Sequence, residues 1–554
     1  MVNWNRAFHS LGMTPSDYIK RFAIPVLVLG FGFPILIQIA APDIMTGTIA
    51  LVFWSMPFFF FILIVIYPLN SLERTKMQID QNIHYYVTHM GVLATSQMQL
   101  RDLLLSLSRN DAYEYLAKES EKIYMLMDDW KLSFAQSCRF IARRTPSDIF
   151  ADFLDRFAHA MDSGEDVESF LKSEQKVVMN AFDTMYRDAL HSIDTLKEIY
   201  MSMVIALLFV VSFAILLPII LGMDSNMLMI GSILMFMGTE ILLVYFAKMR
   251  VPKDQVWHTL DIETESERKL KLSFIISIIL CVLVAIPVLL LNIFPVTIEI
   301  AMILTPLVIT GRIASIEENK IKRKDDNFAS FIRSLGASSG ARGGLVNESL
   351  RQLIYHDFGP LTKNVRDLYC RLNTRINKIR SWEFFAAGTE SNLIERFGTM
   401  FAEGTHIGGK PELIGEFIGD NVMEINSLRK LRYSSSSSLS GIMYGLTAGI
   451  AFTMFLSLTI VSLLTKVFSK ANIPEGTDIG ISLSAAAGLN IEVMTLLIMA
   501  MLVGHSFLSA LLIKVVDGGH MFNMYSHFVG ELWVSAICAE LTIRLSGPML
   551  NMGV

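Results

Sequence analysis

The chain has 554 residues, 52% of them hydrophobic, and its mean hydropathy is +0.47. That is too apolar for an ordinary soluble protein and indicates an integral membrane protein. The net charge of −5 names no partner by itself, and the widely spaced Cys138, Cys281, Cys370 and Cys538, with no CxxC pair, argue against a zinc site or a disulfide framework.

A membrane-spanning helix needs about 20 mostly apolar residues, because its backbone polar groups must be satisfied within the segment. About nine segments qualify, so the expected fold is all-α and polytopic. Residues 1–21 read as an amphipathic surface helix with no cleavable signal. They belong to a first section, 1–68, whose spans are 22–42 and 47–67. Section 69–199 turns polar with helical periodicity (Leu100, Leu103, Leu104 and Leu107 share a face) and is expected to be a cytosolic bundle. A second membrane hairpin (200–247), a charged loop (248–271) and a third hairpin (272–311) follow. Section 312–438 is a second bundle, closed by the serine run 434–438, which reads as a flexible joint. The last section, 439–554, carries spans at 439–464 and 493–512 and a weaker ninth at 528–545, which includes Glu531, Glu540 and Arg544. Of the 47 Lys and Arg, 44 fall on one side of this topology, which assigns the N-terminus and both bundles to the cytoplasm.

A short stretch occurs twice. Residues 154–164 read LDRFAHAMDSG and, 240 positions later, 394–404 read IERFGTMFAEG. This pairs Arg156, Phe157 and Gly164 with Arg396, Phe397 and Gly404. A looser echo at an offset of 245 pairs Gly91, Leu100 and Leu105 with Gly336, Leu345 and Leu350. Two matches in the same order, each ahead of apolar segments, indicate a duplicated module.

The two bundles differ in charge. Residues 69–199 hold 15 Lys and Arg against 21 Asp and Glu, whereas 312–435 hold 19 against 15. Lys320, Lys322, Arg323 and Lys324 lie directly below a span, where contact with anionic lipid is the simplest reading. Arg333, Arg342, Arg351, Arg366, Arg371 and Arg375 lie farther away, and two readings stay open for them. They form a basic face for an acidic cytosolic protein, or an ordinary solvated surface. Nucleic-acid binding is disfavoured, because no aromatic interleaving or known module accompanies the charges.

No catalytic constellation is visible. Residues 404–410 (GTHIGGK) fit GxxxxGK, but Pro411 stands where a phosphate loop needs Ser or Thr, and a helical pattern precedes it. Neither HExxH nor a metal-spaced His cluster is present. Glu240, Glu299 and His505 lie within apolar spans and are candidates for an ion path. One such group per span is equally consistent with helix-to-helix hydrogen bonding. No cofactor is expected.

Two helical bundles, each with a Gly…Leu…Leu signature and a later Arg-Phe…Gly stretch ahead of membrane spans, resemble the type II secretion F-domains. These belong to the membrane platform proteins of type IV pili, type II secretion systems and archaella. Length, the two leading spans and the nine-span total most resemble the archaellum (archaeal flagellum) platform family. The resemblance implies a non-enzymatic plasma-membrane protein that anchors a hexameric secretion ATPase. It would couple ATP-driven motion to insertion of pilin-like archaellin subunits and to rotation, among other archaellum motor components, with the basic arginines facing the ATPase. A homodimer is implied on the same ground. The alternatives are the platform of an adhesive archaeal pilus or secretion system and, from another class, an ion-coupled transporter or channel.

Overall fold

A computed structural model of the chain describes residues 8, 13–40, 47–221, 225–291, 293–374, 377–470 and 491–552. The regular elements among them are helices, and a lone bridge between Trp257 and Ser391 is the β-type pairing recorded. In chain order the main helices are α1 (Ile24–Ala40), α2 (Gly47–Ala94), α3 (Leu100–Ser108), α4 (Tyr115–Asp128), α5 (Phe134–Ala142) and α6 (Asp148–Asp162). There follow α7 (Val167–Leu221), α8 (Ser225–Arg250), α9 (Glu265–Leu291), α10 (Val296–Leu304), α11 (Leu307–Gly340) and α12 (Val346–Leu353). The last are α13 (Thr362–Asn373), α14 (Lys378–Thr389), α15 (Asn392–His406), α16 (Pro411–Lys470), α17 (Ile491–Asp517) and α18 (Met524–Met552).

Among the described residues, α7, α8, α9, α16 and α17 are long and apolar enough to cross a membrane. The pair α10–α11, bent by 45°, adds a sixth span if counted as one. The first, second and ninth expected spans fall on α1, α2 and α18, which do not meet that test over the described residues, and α18 carries Glu531, Glu540 and Arg544. Ile275, Ile279, Val282, Ile286 and Leu290 of α9 are exposed, a large apolar surface that lipid would cover.

The chain forms two compact units. The first comprises Met1–Thr184, Gly336–Gly344 and Met400–Asn421. Its core gathers Tyr86, Phe150, Phe153 and Phe157, all fully buried. Burying each side chain contributes about 1.5–3 kcal/mol. Caps fix where its helices begin: Ser133 and Gln136 form a reciprocal capping box on α5. Ser147 accepts from the Phe150 N–H at 3.1 Å at the start of α6 and donates to buried Asp80, whose carboxyl burial holds above its ordinary range. The start of α16 is tied in by Asn421, which donates to the Thr88 hydroxyl at 2.8 Å, and by the Gln175 amide on the Phe417 carbonyl at 2.9 Å.

The second unit comprises Met185–Leu335, Leu345–Thr399 and Val422–Val554. The serine run does not act as a joint: residues 434–438 lie inside α16, which is helical without a break from Pro411 to Lys470. Serine is only modestly worse than alanine in a helix, so anchoring on either side outweighs its preference for loops. Lys197 reaches both Asp194 (2.7 Å) and the Ser435 hydroxyl (3.0 Å), fastening the run to α7.

Candidate functional site

The arginines of the expected basic face lie in different settings. Leu350, Leu353, Val365, Leu368 and Leu372 are buried, so α12 and α13 turn their other sides outward. Arg351 and Arg366 are exposed there, and the Arg366 Nε donates to the Ile354 carbonyl at 3.4 Å. Arg371 lies over the Phe384 ring at 5.6 Å. Tyr355, between Arg351 and Arg366 in sequence, is 84% exposed; a single aromatic carries no pattern that marks it in the sequence. Arg333, by contrast, is half-buried against its own bundle, with Nη1 3.0 Å from the Met423 sulfur. Arg342 belongs to the first unit, and Arg375 lies outside the described residues.

The basic run 320–324 is largely spoken for within the protein. Lys320 pairs with Glu317 at 2.8 Å. Lys322 sits 3.6 Å above the centre of the Tyr433 ring and 3.8 Å from Asp517. Lys324 donates to the Thr389 carbonyl (3.1 Å) and more weakly to that of Gly388 (3.4 Å), at the end of α14, where helix carbonyls lack partners. Burial pushes its ammonium pKa down. Arg323 is exposed.

Farther along the same helices is a cluster that no sequence pattern announced. Arg429 of α16 is fully buried and forks to Asp254 (2.6 Å) and Asp325 (3.0 Å). Burial works against its charge, but Asp254 and then Asp325 outweigh that and hold the guanidinium above its ordinary range. Asp325 also accepts from Ser391, yet burial dominates and pushes its pKa up to about 6. One turn on, buried Arg432 donates to the carbonyls of Val516 (2.6 Å), Pro252 (3.0 Å) and Val515 (3.2 Å). A guanidinium thus satisfies the open carbonyls at the end of α17. Two arginines three residues apart bind α11, the 250s loop, α16 and α17 into one joint.

Inside the apolar segments, Glu240 and His505 meet, with Oε1 to Nδ1 at 2.5 Å, and Tyr200 donates to the same carboxylate at 2.9 Å. Glu531 joins them: it accepts from Ser509 at 2.9 Å, and Thr447 lies 3.1 Å from His505 Nε2 and 3.5 Å from Glu531. In the sequence Glu240, His505 and Glu531 fall in three separate expected spans, and folding brings them together. Glu299, on α10, is buried and is not part of this network.

The repeat residues are structural in setting. Arg156 pairs with Glu174 (Nε at 2.9 Å) rather than with its neighbour Asp155. Glu395 accepts from the Thr259 N–H at 2.7 Å, and Arg396 is half-buried. Phe157 and Phe397 are both buried. Ser391 caps α15 as Ser147 caps α6: it accepts from the Ile394 N–H at 3.1 Å and donates to Asp325. This equivalence has an offset of 244, one helical turn from the 240 of the sequence match. It places Phe153 and Phe157 on Phe397 and Phe401, and Gly164 on Gly408; both glycines have positive φ, +75° and +98°. Gly404 lies inside α15, pressed between Val92 and Ile414. Lys410, the lysine of GTHIGGK, is bound to Glu168 at 3.1 Å. Among the described residues no His, Cys, Asp or Glu group is arranged to hold a metal.

Residues 86–215 match the family described as Type II secretion system (T2SS), protein F. The chain is 37% identical over 556 residues to flagella accessory protein J of Methanocaldococcus jannaschii, covering 98% of each chain. It is 36% identical over 564 residues to the protein of that name from Methanococcus voltae, again over 98% of each. No solved structure matches. Near full-length identity of this order, together with the apolar helices and the secretion-type domain, makes the chain a membrane protein of the flagella accessory protein J family, the platform branch of the archaellum and type IV pilus-like machineries.

Proposed function

We propose that the chain is the passive membrane platform of an archaellum, receiving force from a cytosolic hexameric ATPase and passing it to pilin-like archaellin subunits. On this reading the N-terminus and the polar helices face the cytoplasm, and the ATPase docks on Arg351, Arg366 and Arg371, with the exposed Tyr355 as a further contact. Two features support docking there: arginine and tyrosine are enriched among residues that dominate interfaces, and a basic patch steers an acidic partner into register. The observation that carries the coupling is the Arg429–Arg432 joint. A buried guanidinium shared by two carboxylates is costly to break, about 3–5 kcal/mol when one partner is lost. Helices joined in that way move together rather than flexing independently.

The shared cap geometry of Ser147 and Ser391 supports a further element of this reading, a duplicated helical module of which only the second copy became basic. A transporter reading draws on the Glu240–His505–Glu531 network. That network is buried and its hydrogen bonds run between five helices, α7, α8, α16, α17 and α18, which suits a helix clamp.

The test is a chromosomal Arg351→Glu, Arg366→Glu, Arg371→Glu variant scored for filaments, swimming and surface attachment. Membrane levels of the chain should be unchanged and filaments absent. Normal filaments in that variant would refute docking at this face. Loss of attachment with intact swimming in a deletion strain would reassign the platform to an adhesive pilus.

A further inference from the structure

A cavity of about 720 Å³ opens where α11, α16, α17 and α18 come together. Its size is that of a small-ligand site. Its lining is graded along α11, from apolar Val308 through Arg312, Ser315 and Asn319 to Lys322. The same gradient runs along α16, where Ser436, Ser437 and Ser440 line it just ahead of the apolar stretch and Tyr444 lies one turn deeper. Trp533 of α18 also lines it, and tryptophan and tyrosine collect at the level of lipid headgroups. The cavity therefore sits at the boundary between the apolar segments and their charged extensions.

The charges in it are unbalanced. Arg312, Lys322 and Lys514 line the cavity against one carboxylate, Asp517. Lys322 is held by Asp517 and the Tyr433 ring. The neighbouring acid Glu318 is engaged by the His520 N–H and the Asn523 amide. Within the described residues, neither Arg312 nor Lys514 makes an ion pair or side-chain hydrogen bond. Two cations and a set of serine hydroxyls thus converge on a space with an apolar inner end. A guanidinium and an ammonium are matched by phosphate oxygens, with hydroxyls supplying neutral donors.

We infer that this cavity binds the phosphate of an anionic phospholipid, with Arg312 and Lys514 on the headgroup and the Val308 end receiving the start of the acyl chains. Basic pockets between membrane helices hold acidic headgroups for this reason, each nearby cation contributing on the order of 1 kcal/mol. The lipid would brace the four helices beside the arginine joint. The inference needs the helices to cross a membrane but does not depend on where the ATPase docks.

The test uses the full chain, purified in a non-ionic detergent, stripped of lipid and followed by thermal unfolding. Dioleoylphosphatidylglycerol in mixed micelles should raise the melting temperature and remain bound at one phosphorus per chain. Dioleoylglycerol, which lacks phosphate, and inorganic phosphate, which lacks acyl chains, should do neither. Arg312→Gln with Lys514→Gln should weaken the phosphatidylglycerol response by about tenfold or more, while Lys378→Gln, away from the cavity, should leave it intact. Arg312→Gln alone changes an exposed side chain and gives the same reading if the double variant is unstable. A response unchanged in the Arg312 variants, or reproduced by dioleoylglycerol or by inorganic phosphate, overturns the assignment.

Discussion

At the scale of single residues, the Asp325 carboxyl is the most telling titration. Its pKa in the folded protein is about 6, above the ordinary value of 3.8, because burial outweighs the attraction of Arg429. A raised carboxyl pKa means that the folded state holds the proton more tightly than the unfolded chain. The charged form is therefore a liability above pH 6, relieved as the pH falls from 7 towards 4. Thermal unfolding should show wild type gaining stability between pH 7 and pH 5 relative to Asp325→Asn, which has nothing to titrate there; parallel pH profiles would remove Asp325 as the titrating group. Gly91 and Gly336, paired by the sequence, differ in tightness. A Cβ on Gly91 would lie 3.4 Å from the Phe417 ring, an ordinary contact, but on Gly336 it would lie 2.5 Å from the Pro411 carbonyl oxygen and 3.0 Å from Gly415 Cα. Backbone cannot swing aside as a side chain can. Gly336→Ala should thus cost about 1–3 kcal/mol by overpacking, and Gly91→Ala much less, as read from melting temperatures. Equal losses would mean that the close approach at Gly336 is not what fixes the residue.

At the scale of elements, the sequence showed helices and apolar stretches well, because periodicity is local. The sequence match and the correspondence of the two serine caps differ by four residues for a reason rooted in the helix itself. With 3.6 residues per turn, a slip of four returns side chains to nearly the same face, so offsets of 240 and 244 both match Phe with Phe. The serine caps, which bond to distant Asp80 and Asp325, and the positive-φ glycines 164 and 408 separate the two. The serine run reads as a joint by composition, which describes a segment's own preference, whereas Lys197 and the buried arginines supply the tertiary restraint that keeps it helical. If α16 works as a stiff rod, Ser435→Gly with Ser437→Gly should lower stability by about 1 kcal/mol or less per site, given that glycine falls only about 1 kcal/mol below alanine. The same change should abolish filament growth, while the corresponding alanine pair grows filaments normally. Normal filaments with the glycine pair would show that the rod need not be stiff.

At the scale of the whole molecule, the membrane class and the family could be read from the sequence, since both are written in apolar segments, charge asymmetry and recurring signatures. The convergence of Glu240, His505 and Glu531, the joint at Arg429 and Arg432 and the cationic cavity could not. The hydrogen bonds that build them join residues from 22 to 265 positions apart, and nothing local in those stretches marks the partner. What results is a protein whose buried polar groups tie helices to one another, with its basic arginines 351 and 366 turned outward. Attachment through exposed charge should be screened by salt, since the Debye length falls from about 10 Å at 0.1 M to about 3 Å at 1 M. The decisive experiment reconstitutes the purified chain in phospholipid vesicles and adds the purified cytosolic ATPase. The vesicles alone should turn over no ATP, and the ATPase should sediment with them at low salt, detach at high salt and fail to attach to the Arg351→Glu, Arg366→Glu, Arg371→Glu variant. ATP hydrolysis by the chain unaided, or attachment indifferent to both salt and the three substitutions, would show that it is not a passive platform driven through this face.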